Sequence, residues 1–300
     1  MPKELVAIAP RTPALREFEP PPVGPGMVKL IAEFGAPKHG TEMMGYRNVA
    51  ATSGGRYDPE MRCFVPSTDG SSRFPRGLGN MVVGRIAEVG EGVDRFAAGD
   101  RVYGHMQLRE VNVVPAQRLR PLPPDLSPEA AMCTDPADAA LAIRDARIKL
   151  GADLVLDPTE GDVGLEIHRL TGKLGVDVAL EVSGNSRALH QAIRATRFEG
   201  TVGVIASYAG GAEHLHLGNE FHWNAIQLIS CRTVSLPLRD YGWDHERLVD
   251  LAEDLIRSGK VRTDGIIYPI VPFEAAAEAY RMIDEHPEHC IKLGVRFSGA

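Results

Sequence analysis

Hydrophobic and polar positions in the first 126 residues follow short, strand-like patterns. Apolar residues nearly alternate over residues 27–37, which end in a proline, and this pattern predicts a strand. Two further strands are predicted over Val82–Val89 and Arg101–Gly104, with a glycine-bearing turn between them. Another follows within residues 110–121, whereas residues 46–77 lack periodicity and are predicted to form a long surface excursion. Turn signals about every 8 to 12 residues predict an all-β barrel or rolled sheet.

From Ser127 onward the pattern changes to alternating helices and strands. Residues 127–150 are predicted to be helical, with Ser127 as the N-cap, Pro128 at the first helical position and Gly151 as the stop. Residues 153–157 are predicted to form a short buried strand. The later helices and strands are predicted over residues 162–172, 175–184, 186–197, 200–207, 226–235, 245–261, 272–287 and 291–297. Such alternation predicts a mostly parallel sheet that is covered on both faces.

Composition excludes several classes of protein. A length of 300 residues suits one large domain or two ordinary ones, and 44% hydrophobic residues are typical of a globular protein. The net charge of -7 argues against nucleic acid as a partner. The four cysteines form no Cys-x-x-Cys pair, which favours reduced thiols in a cytoplasm. The N-terminus lacks the apolar run of a signal peptide, and no stretch reaches the roughly 18 apolar residues of a membrane span.

Several segments together carry a family resemblance. They are GRIAEVGEGVDRFAAGDRVYG, LGADLVLDP, GVDVALEVSG, EGTVGVIAS, APKHGTEMMGYR and the closing PIVPFEAAAEAYRMIDEHPEHCIKLGVRF. In this order they resemble the medium-chain dehydrogenase/reductase superfamily, the zinc-type alcohol and polyol dehydrogenases. The resemblance implies an α/β protein with a GroES-like β-rich catalytic domain over residues 1–126 and 266–300. Residues 127–265 would form a truncated Rossmann-like parallel-sheet domain, with the active site in the cleft and a homodimer or homotetramer as the assembly.

The first departure from the family pattern is a missing phosphate-binding loop. A Rossmann domain opens with a strand, a G-x-G-x-x-G turn and a helix, whose main-chain amides hold the dinucleotide diphosphate. Here the phrases that should flank this unit are fused in RIKLGADLVLDP, and about 30 residues or more are needed for a βαβ unit. The sequence therefore predicts poor NAD(P) binding by a monomer. Glu181, Ser183 and Gly184 form the strand-to-helix turn that remains as a candidate cofactor contact.

The second departure concerns the catalytic zinc of the family. His39 stands where the family has its first cysteine ligand, and Asn80 and Met81 replace the usual His-Glu pair. Asn and Met are poor zinc ligands beside imidazole or thiolate. Cys133 or Asp135 lies in the region of the third ligand, so His39, Cys133 and Asp135 remain weak candidates only. We therefore expect a zinc-independent site.

The remaining polar residues of this region are candidates for proton handling. The resemblance places Thr41 at the hydroxyl that relays the substrate proton and Glu42 at a neighbouring acid. His39 and His105 are candidate acid/base groups, because imidazole titrates near neutral pH. Asn80 is a candidate donor to a substrate hydroxyl or carbonyl. Each could instead be a hydrogen-bonded structural residue.

Three functions follow from these observations. The first is an oxidoreductase that acts on a polar small-molecule alcohol or ketone, such as a sugar or polyol. The second is a non-redox lyase, isomerase or cyclase on the same scaffold, because one fold hosts many chemistries. The third is an inactive or binding paralogue that forms an oligomer.

Overall fold

The computed structural model describes most of the chain. The described residues are 1–48, 55–58, 60–61, 63–66, 74–134, 153–208, 211–230 and 245–298. The strands are β1 (Lys3–Ala9), β2 (Thr12–Glu17), β3 (Met27–Gly35), β4 (Gly55–Asp58), β5 (Cys63–Pro66), β6 (Arg76–Gly77), β7 (Val82–Val89), β8 (Arg101–Gly104), β9 (Val111–Pro115), β10 (Leu119–Pro121), β11 (Val176–Glu181), β12 (Thr196–Val204), β13 (Gln227–Ser230), β14 (Ile267–Pro272) and β15 (Lys292–Arg296). The α-helices are α1 (His39–Tyr46), α2 (Pro128–Ala131), α3 (Val163–Leu170), α4 (Ser186–Ala195), α5 (His245–Arg257) and α6 (Ala276–Glu285).

The chain divides into two compact units. Unit 1 comprises Met1–Asn48, Ser71–Ala139 and Glu246–Ala300, and unit 2 comprises Val49–Gly70 and Ala140–His245. Unit 1 holds the β-rich part with both chain ends, and unit 2 holds a parallel sheet with its helices. The α/β fold with a GroES-like part and a truncated Rossmann-like part is confirmed. The finer boundaries at residues 126 and 265 stay a prediction.

Unit 1 is built around β3. The main sheet runs β10-β8-β7-β3-β15-β14, and β9 also pairs with β3. Strand β3 is antiparallel to β7, β9 and β15. Its alternate residues Val28, Leu30, Ala32 and Phe34 are buried, because successive side chains of a strand point to opposite faces. The predicted strands over Val82–Val89 and Arg101–Gly104 are confirmed with these bounds.

Unit 2 contains the parallel sheet β11-β12-β13. Helix α4 covers one face, where Leu189 and Ile193 form a core cluster with Val202. On the other face, Val178 and Leu180 of β11 are 58% and 65% exposed. Among the described residues, β11 pairs only with β12. The second half of a doubly wound sheet is therefore present, and no described strand lies beyond β11.

The long helix predicted from Ser127 is wrong in extent. Ser127 does cap α2 by accepting a hydrogen bond from the Ala130 amide, but the helix ends at Ala131. The Thr134 hydroxyl and amide both donate to the carbonyl of Ala131, at 2.8 and 3.3 Å. These three-residue contacts close a turn in place of continued α-helical hydrogen bonds. The rest of the predicted helix, including Gly151, lies outside the described residues.

Two further predictions are corrected. Residues 153–157 form no strand, and Leu154 is 49% exposed. A strand needs a hydrogen-bonded neighbour, and the unit that would supply one is the unit missing from the sequence. Within residues 46–77, predicted to lack regular structure, β4 and β5 form an antiparallel hairpin. No described helix is long and apolar enough to cross a bilayer.

Substitution of a leucine in the unit 2 core tests this packing. Leu189→Ala should lower the free energy of unfolding by about 2–5 kcal/mol, because Leu189 is 5% exposed and a cavity would remain. The matched Leu180→Ala change, at the exposed face of the same unit, should cost less than about 1 kcal/mol. Urea unfolding followed by circular dichroism measures both, and equal losses would contradict the described sheet faces.

Candidate active site

The start of α1 is fixed against the loop that precedes β7. The chain leaves β3 at Gly35, and the Lys38 amide then donates to Oδ1 of Asn80 at 2.9 Å. On the other side, the Met106 amide donates to the Asn80 main-chain carbonyl at 3.2 Å. Asn80 therefore joins the start of α1 to the loop that follows β8. His105, exposed, lies in that loop next to Met106.

His39 and Thr41 occupy the first turn of α1. Their backbone positions are described, and their side chains lie outside the described part of the structure. Because Lys38 is the N-cap residue, both follow directly on the segment held by Asn80. The predicted roles of His39 and Thr41 stay predictions.

Glu42 links α1 to two other elements. Its Oε2 accepts hydrogen bonds from the Gly79 amide at 2.9 Å and from the Tyr280 hydroxyl on α6 at 2.6 Å. Although part of the residue reaches solvent, loss of water around the carboxyl raises the pKa of Glu42. The two hydrogen bonds, and then the charges of Arg76 and Lys292, act in the opposite direction. Glu42 is thus held in a fixed polar setting beside the candidate residues.

A buried lysine lies in the same region. Lys292, at the start of β15, is 6% exposed, and its Nζ donates to the carbonyl of Pro37 at 3.1 Å. Cys133 is half-buried, and its thiol donates to the Glu129 carbonyl at 3.5 Å. Burial raises the pKa of the Cys133 thiol to about 11. At neutral pH the Cys133 thiol is therefore protonated while no metal ion is bound.

The described residues do not fit a catalytic zinc. They contain no group of three His, Cys, Asp or Glu side chains that could hold a metal ion. The side-chain oxygen of Asn80, its only atom that could bind a metal ion, accepts a hydrogen bond from the Lys38 amide. The side chain of His39 and the whole of Asp135 lie outside the description. Zinc independence stays a prediction, and we assign no chemical step to a metal.

The turn that follows β11 is closed by its own carboxylate. Glu181 accepts hydrogen bonds from the Ser183 and Gly184 amides at 2.7 and 3.3 Å. The hydroxyls of Ser183 and Tyr208 also donate to Glu181. Gly184 has φ of +71°, and a Cβ there would lie 2.7 Å from the Ser207 carbonyl, so the position requires glycine. The donors of this turn are thus committed within the protein, and they do not form a cradle for a diphosphate.

Sequence reasoning missed Tyr280 and Lys292. Tyr280 lies on the buried face of α6, and its position in the helical pattern is that of an ordinary core residue. Lys292 could have been found, because it is a charged residue within the otherwise apolar segment Ile291–Val295. Lysine is almost never fully buried without a partner.

Comparisons with known proteins agree with this architecture. The family model described as Zinc-binding dehydrogenase matches residues 132–244. D-guloside 3-dehydrogenase of Escherichia coli (strain K12) is 34% identical over an alignment of 352 positions, which covers 98% of this chain and 100% of the relative. The chain has only 300 residues, so at least 52 of the 352 positions contain no residue of this chain.

Solved structures show the same fold. One from Escherichia coli, described as an oxidoreductase/dehydrogenase of unknown specificity involved in membrane biogenesis, has a TM-score of 0.74 at 15% identity and covers 99% of this chain and 100% of its own. The 2R,3R-butanediol dehydrogenase of Bacillus subtilis has a TM-score of 0.70 at 21% identity, with 99% of each chain covered.

The raised pKa of Glu42 predicts a pH-dependent stability difference. A carboxyl that binds its proton more tightly in the folded chain stabilises the fold below the ordinary pKa of 4.5, and this contribution is lost as the pH rises through the folded pKa. The unfolding free energy of the unmodified protein minus that of Glu42→Gln should therefore fall as the pH rises above 4.5. Glutamine keeps an oxygen for Gly79 and Tyr280.

Chemical unfolding at a series of pH values measures this difference. The Glu91→Gln change at an exposed glutamate is the matched control. Its difference in unfolding free energy from the unmodified protein should not show the same fall with rising pH. A difference for Glu42→Gln that stays constant or grows with pH would contradict the assigned burial.

Proposed function

Since the chain belongs to the medium-chain dehydrogenase/reductase superfamily, we propose that it oxidises a hydroxyl group, or reduces the matching ketone, of a sugar-like substrate. The observation that carries this proposal is the 34% identity with D-guloside 3-dehydrogenase, which extends over 98% of the chain. A D-guloside or a related glycoside is therefore the substrate class that we propose.

The geometry of unit 1 supports roles for three predicted residues. Thr41 and His39 lie in one turn of α1, where a hydroxyl and an imidazole can pass a proton between substrate and solvent. The side-chain oxygen of Asn80 accepts a hydrogen bond from the Lys38 amide. The side-chain NH₂ group of Asn80 would therefore be the donor to a substrate oxygen. His105 is exposed on the loop bonded to Asn80 and would serve a later proton transfer.

A nicotinamide dinucleotide is the oxidant or reductant that the family implies, and the residues that the structure describes do not fit its diphosphate. In the strand-to-helix turn, the main-chain amides of Ser183 and Gly184 donate hydrogen bonds to the Glu181 carboxylate and are not available to a diphosphate. The sequence contains no G-x-G-x-x-G motif elsewhere. We therefore propose that a single protomer binds NAD(P) weakly, and we derive no hydride-transfer step. Glu181, Ser183 and Gly184 are assigned to the structure of the turn.

A second candidate function is binding of the same sugar class without redox chemistry. It is favoured by the 52 or more alignment positions that this chain lacks. Acid/base residues of unit 1 could then catalyse a lyase or isomerase reaction of the sugar, or the site could bind the sugar without converting it. We also propose a homodimer or homotetramer, which light scattering of the purified protein would test.

An oxidation assay separates the candidates. The purified chain is incubated with methyl D-guloside and, in separate reactions, NAD⁺, NADP⁺ or an artificial electron acceptor, and mass spectrometry follows the loss of two hydrogen atoms from the sugar. The proposal predicts oxidation with at least one acceptor. Thr41→Ala should slow it by about 100-fold, the effect of a lost proton-transfer group, whereas the exposed Thr159→Ala should leave it unchanged.

The outcome also decides between the two functions. Sugar binding without oxidation would favour the second candidate, and conversion to an isomer or an elimination product would identify non-redox chemistry. If the chain neither binds nor converts the sugar, the proposed substrate class is wrong.

A further inference from the structure

Two candidate groups of the proposed site lie next to residues that share one hydrogen bond. Thr41 immediately precedes Glu42 in the first turn of α1, and Asn80 immediately follows Gly79 in the loop before β7. Oε2 of Glu42 accepts a hydrogen bond from the Gly79 amide at 2.9 Å. The Glu42 carboxylate therefore sets how the first turn of α1 lies against the segment that carries Asn80.

The Gly79 side of this contact is tightly packed. Gly79 has φ of +87°, a backbone conformation that favours glycine. A Cβ there would lie 2.7 Å from the main-chain nitrogen of Leu108, whose amide donates to the Leu78 carbonyl at 2.8 Å. The amide that reaches Glu42 is therefore held in place by the packing of its own backbone.

The α1 side of the contact depends on its neighbours. Helix α1 has only eight residues, and its N-cap residue, Lys38, makes no side-chain capping hydrogen bond. Helices of this length are marginal in water unless tertiary contacts stabilise them. Met43 and Tyr46 are buried and anchor the apolar face of α1. Glu42 supplies a polar contact in the first turn, where the candidate proton-handling residues lie.

Tyr280 contacts α1 at two places. It is fully buried on α6, and its hydroxyl donates to the same Oε2 of Glu42 at 2.6 Å. Its ring meets the ring of Tyr46 edge-on, with 6.1 Å between the centroids and 66° between the planes. Burial, and then the charge of Glu42, raise the pKa of Tyr280 well above its ordinary value, so the hydroxyl keeps its proton and remains a donor. A phenylalanine would keep the ring contact and lose only the hydrogen bond.

We propose that Tyr280 is a positioning residue of this site: its hydroxyl holds the Glu42 carboxylate, which in turn keeps Thr41 and Asn80 in the arrangement that oxidation of the sugar needs. This assignment rests on the proposed function, because it has Thr41 and Asn80 act on one substrate. Tyr280 itself touches no substrate and exchanges no proton. Its loss should therefore slow the chemical step with little change in sugar binding, because a small misplacement of reacting groups lowers kcat.

Two tyrosine variants test the assignment, because each removes one hydroxyl from the same aromatic pair. Tyr280→Phe removes the donor to Glu42. Tyr46→Phe is the matched control, since the Tyr46 hydroxyl is buried and forms no hydrogen bond within the part of the chain that the structure describes. Tyr280→Phe should lower kcat for oxidation of methyl D-guloside by about 10-fold to 100-fold, with KM changed by less than about 2-fold. Tyr46→Phe should leave kcat unchanged, and retention of kcat in Tyr280→Phe would overturn the assignment.

A double-mutant cycle separates positioning through Glu42 from a general effect on the fold. In a Glu42→Ala background the acceptor is gone, so Tyr280→Phe should change kcat by less than about 2-fold. Equal losses of kcat with and without Glu42 would overturn the assignment, and so would a raised KM at unchanged kcat. Should Tyr280→Phe not fold, Tyr280→Met, which also lacks the hydroxyl, is measured by the same criteria.

Amide hydrogen exchange distinguishes failure of this assignment from failure of the proposed function. Mass spectrometry follows exchange in residues 36–46 of the unmodified protein and of both tyrosine variants. Faster exchange in Tyr280→Phe, and not in Tyr46→Phe, supports the holding of α1 by Tyr280 even if no variant oxidises the sugar, in which case the proposed function alone fails. Unchanged exchange in Tyr280→Phe overturns the assignment, whether or not the unmodified protein oxidises the sugar.

Discussion

The antiparallel pairing of β3 with β7, β9 and the C-terminal strand β15 is the constraint on which unit 1 depends. Val295 of β15 lies opposite Gly35, the last residue of β3. A Cβ at Gly35 would lie 2.3 Å from the Leu108 side chain and 3.1 Å from the Met81 carbonyl, so the close approach of these elements requires glycine. Because α1 follows β3 directly and Lys292 begins β15, this pairing brings the two parts of the candidate site together.

Unit 2 follows a different rule, because its sheet is parallel and needs a helix between strands. Helix α4 joins β11 to β12 and buries Leu189 and Ile193 against the sheet. The opposite face of β11 remains exposed at Val178 and Leu180. This is the pattern expected when the second half of a doubly wound sheet folds and the first half is missing from the sequence. The part that carries the proposed substrate residues is retained, and the part that would hold a diphosphate is not.

Much of the fold could be predicted from local patterns. Alternation of apolar residues gave the bounds of β7 and β8, and Ser127 with Pro128 gave the start of α2. The end of α2 could not be predicted, since it depends on how Thr134 bonds back to Ala131. Residues 153–157 have the composition of a strand, but a strand forms only beside a partner.

The candidate site was predictable only in part. The family resemblance led to Glu42 and Asn80, and the structure brings both to the start of α1. Tyr280 and Lys292 are more than 200 residues away along the sequence from Glu42, and no local pattern connects them to it. Their position at the candidate site depends on long-range strand pairing and on burial, and the local pattern of apolar residues predicts neither.

We propose that this polypeptide keeps a substrate site and lacks the main-chain cradle for a dinucleotide. Fluorescence titration of NADH tests it most directly, with a chimera as reference in which the missing segment of the Escherichia coli relative is inserted between Ile148 and Lys149. We expect saturation with the chimera and, for the unmodified chain, a Kd weaker than about 1 mM, equivalent to less than about 4 kcal/mol of binding. Saturation of the unmodified chain at micromolar NADH would show that the chain binds the dinucleotide without the missing segment.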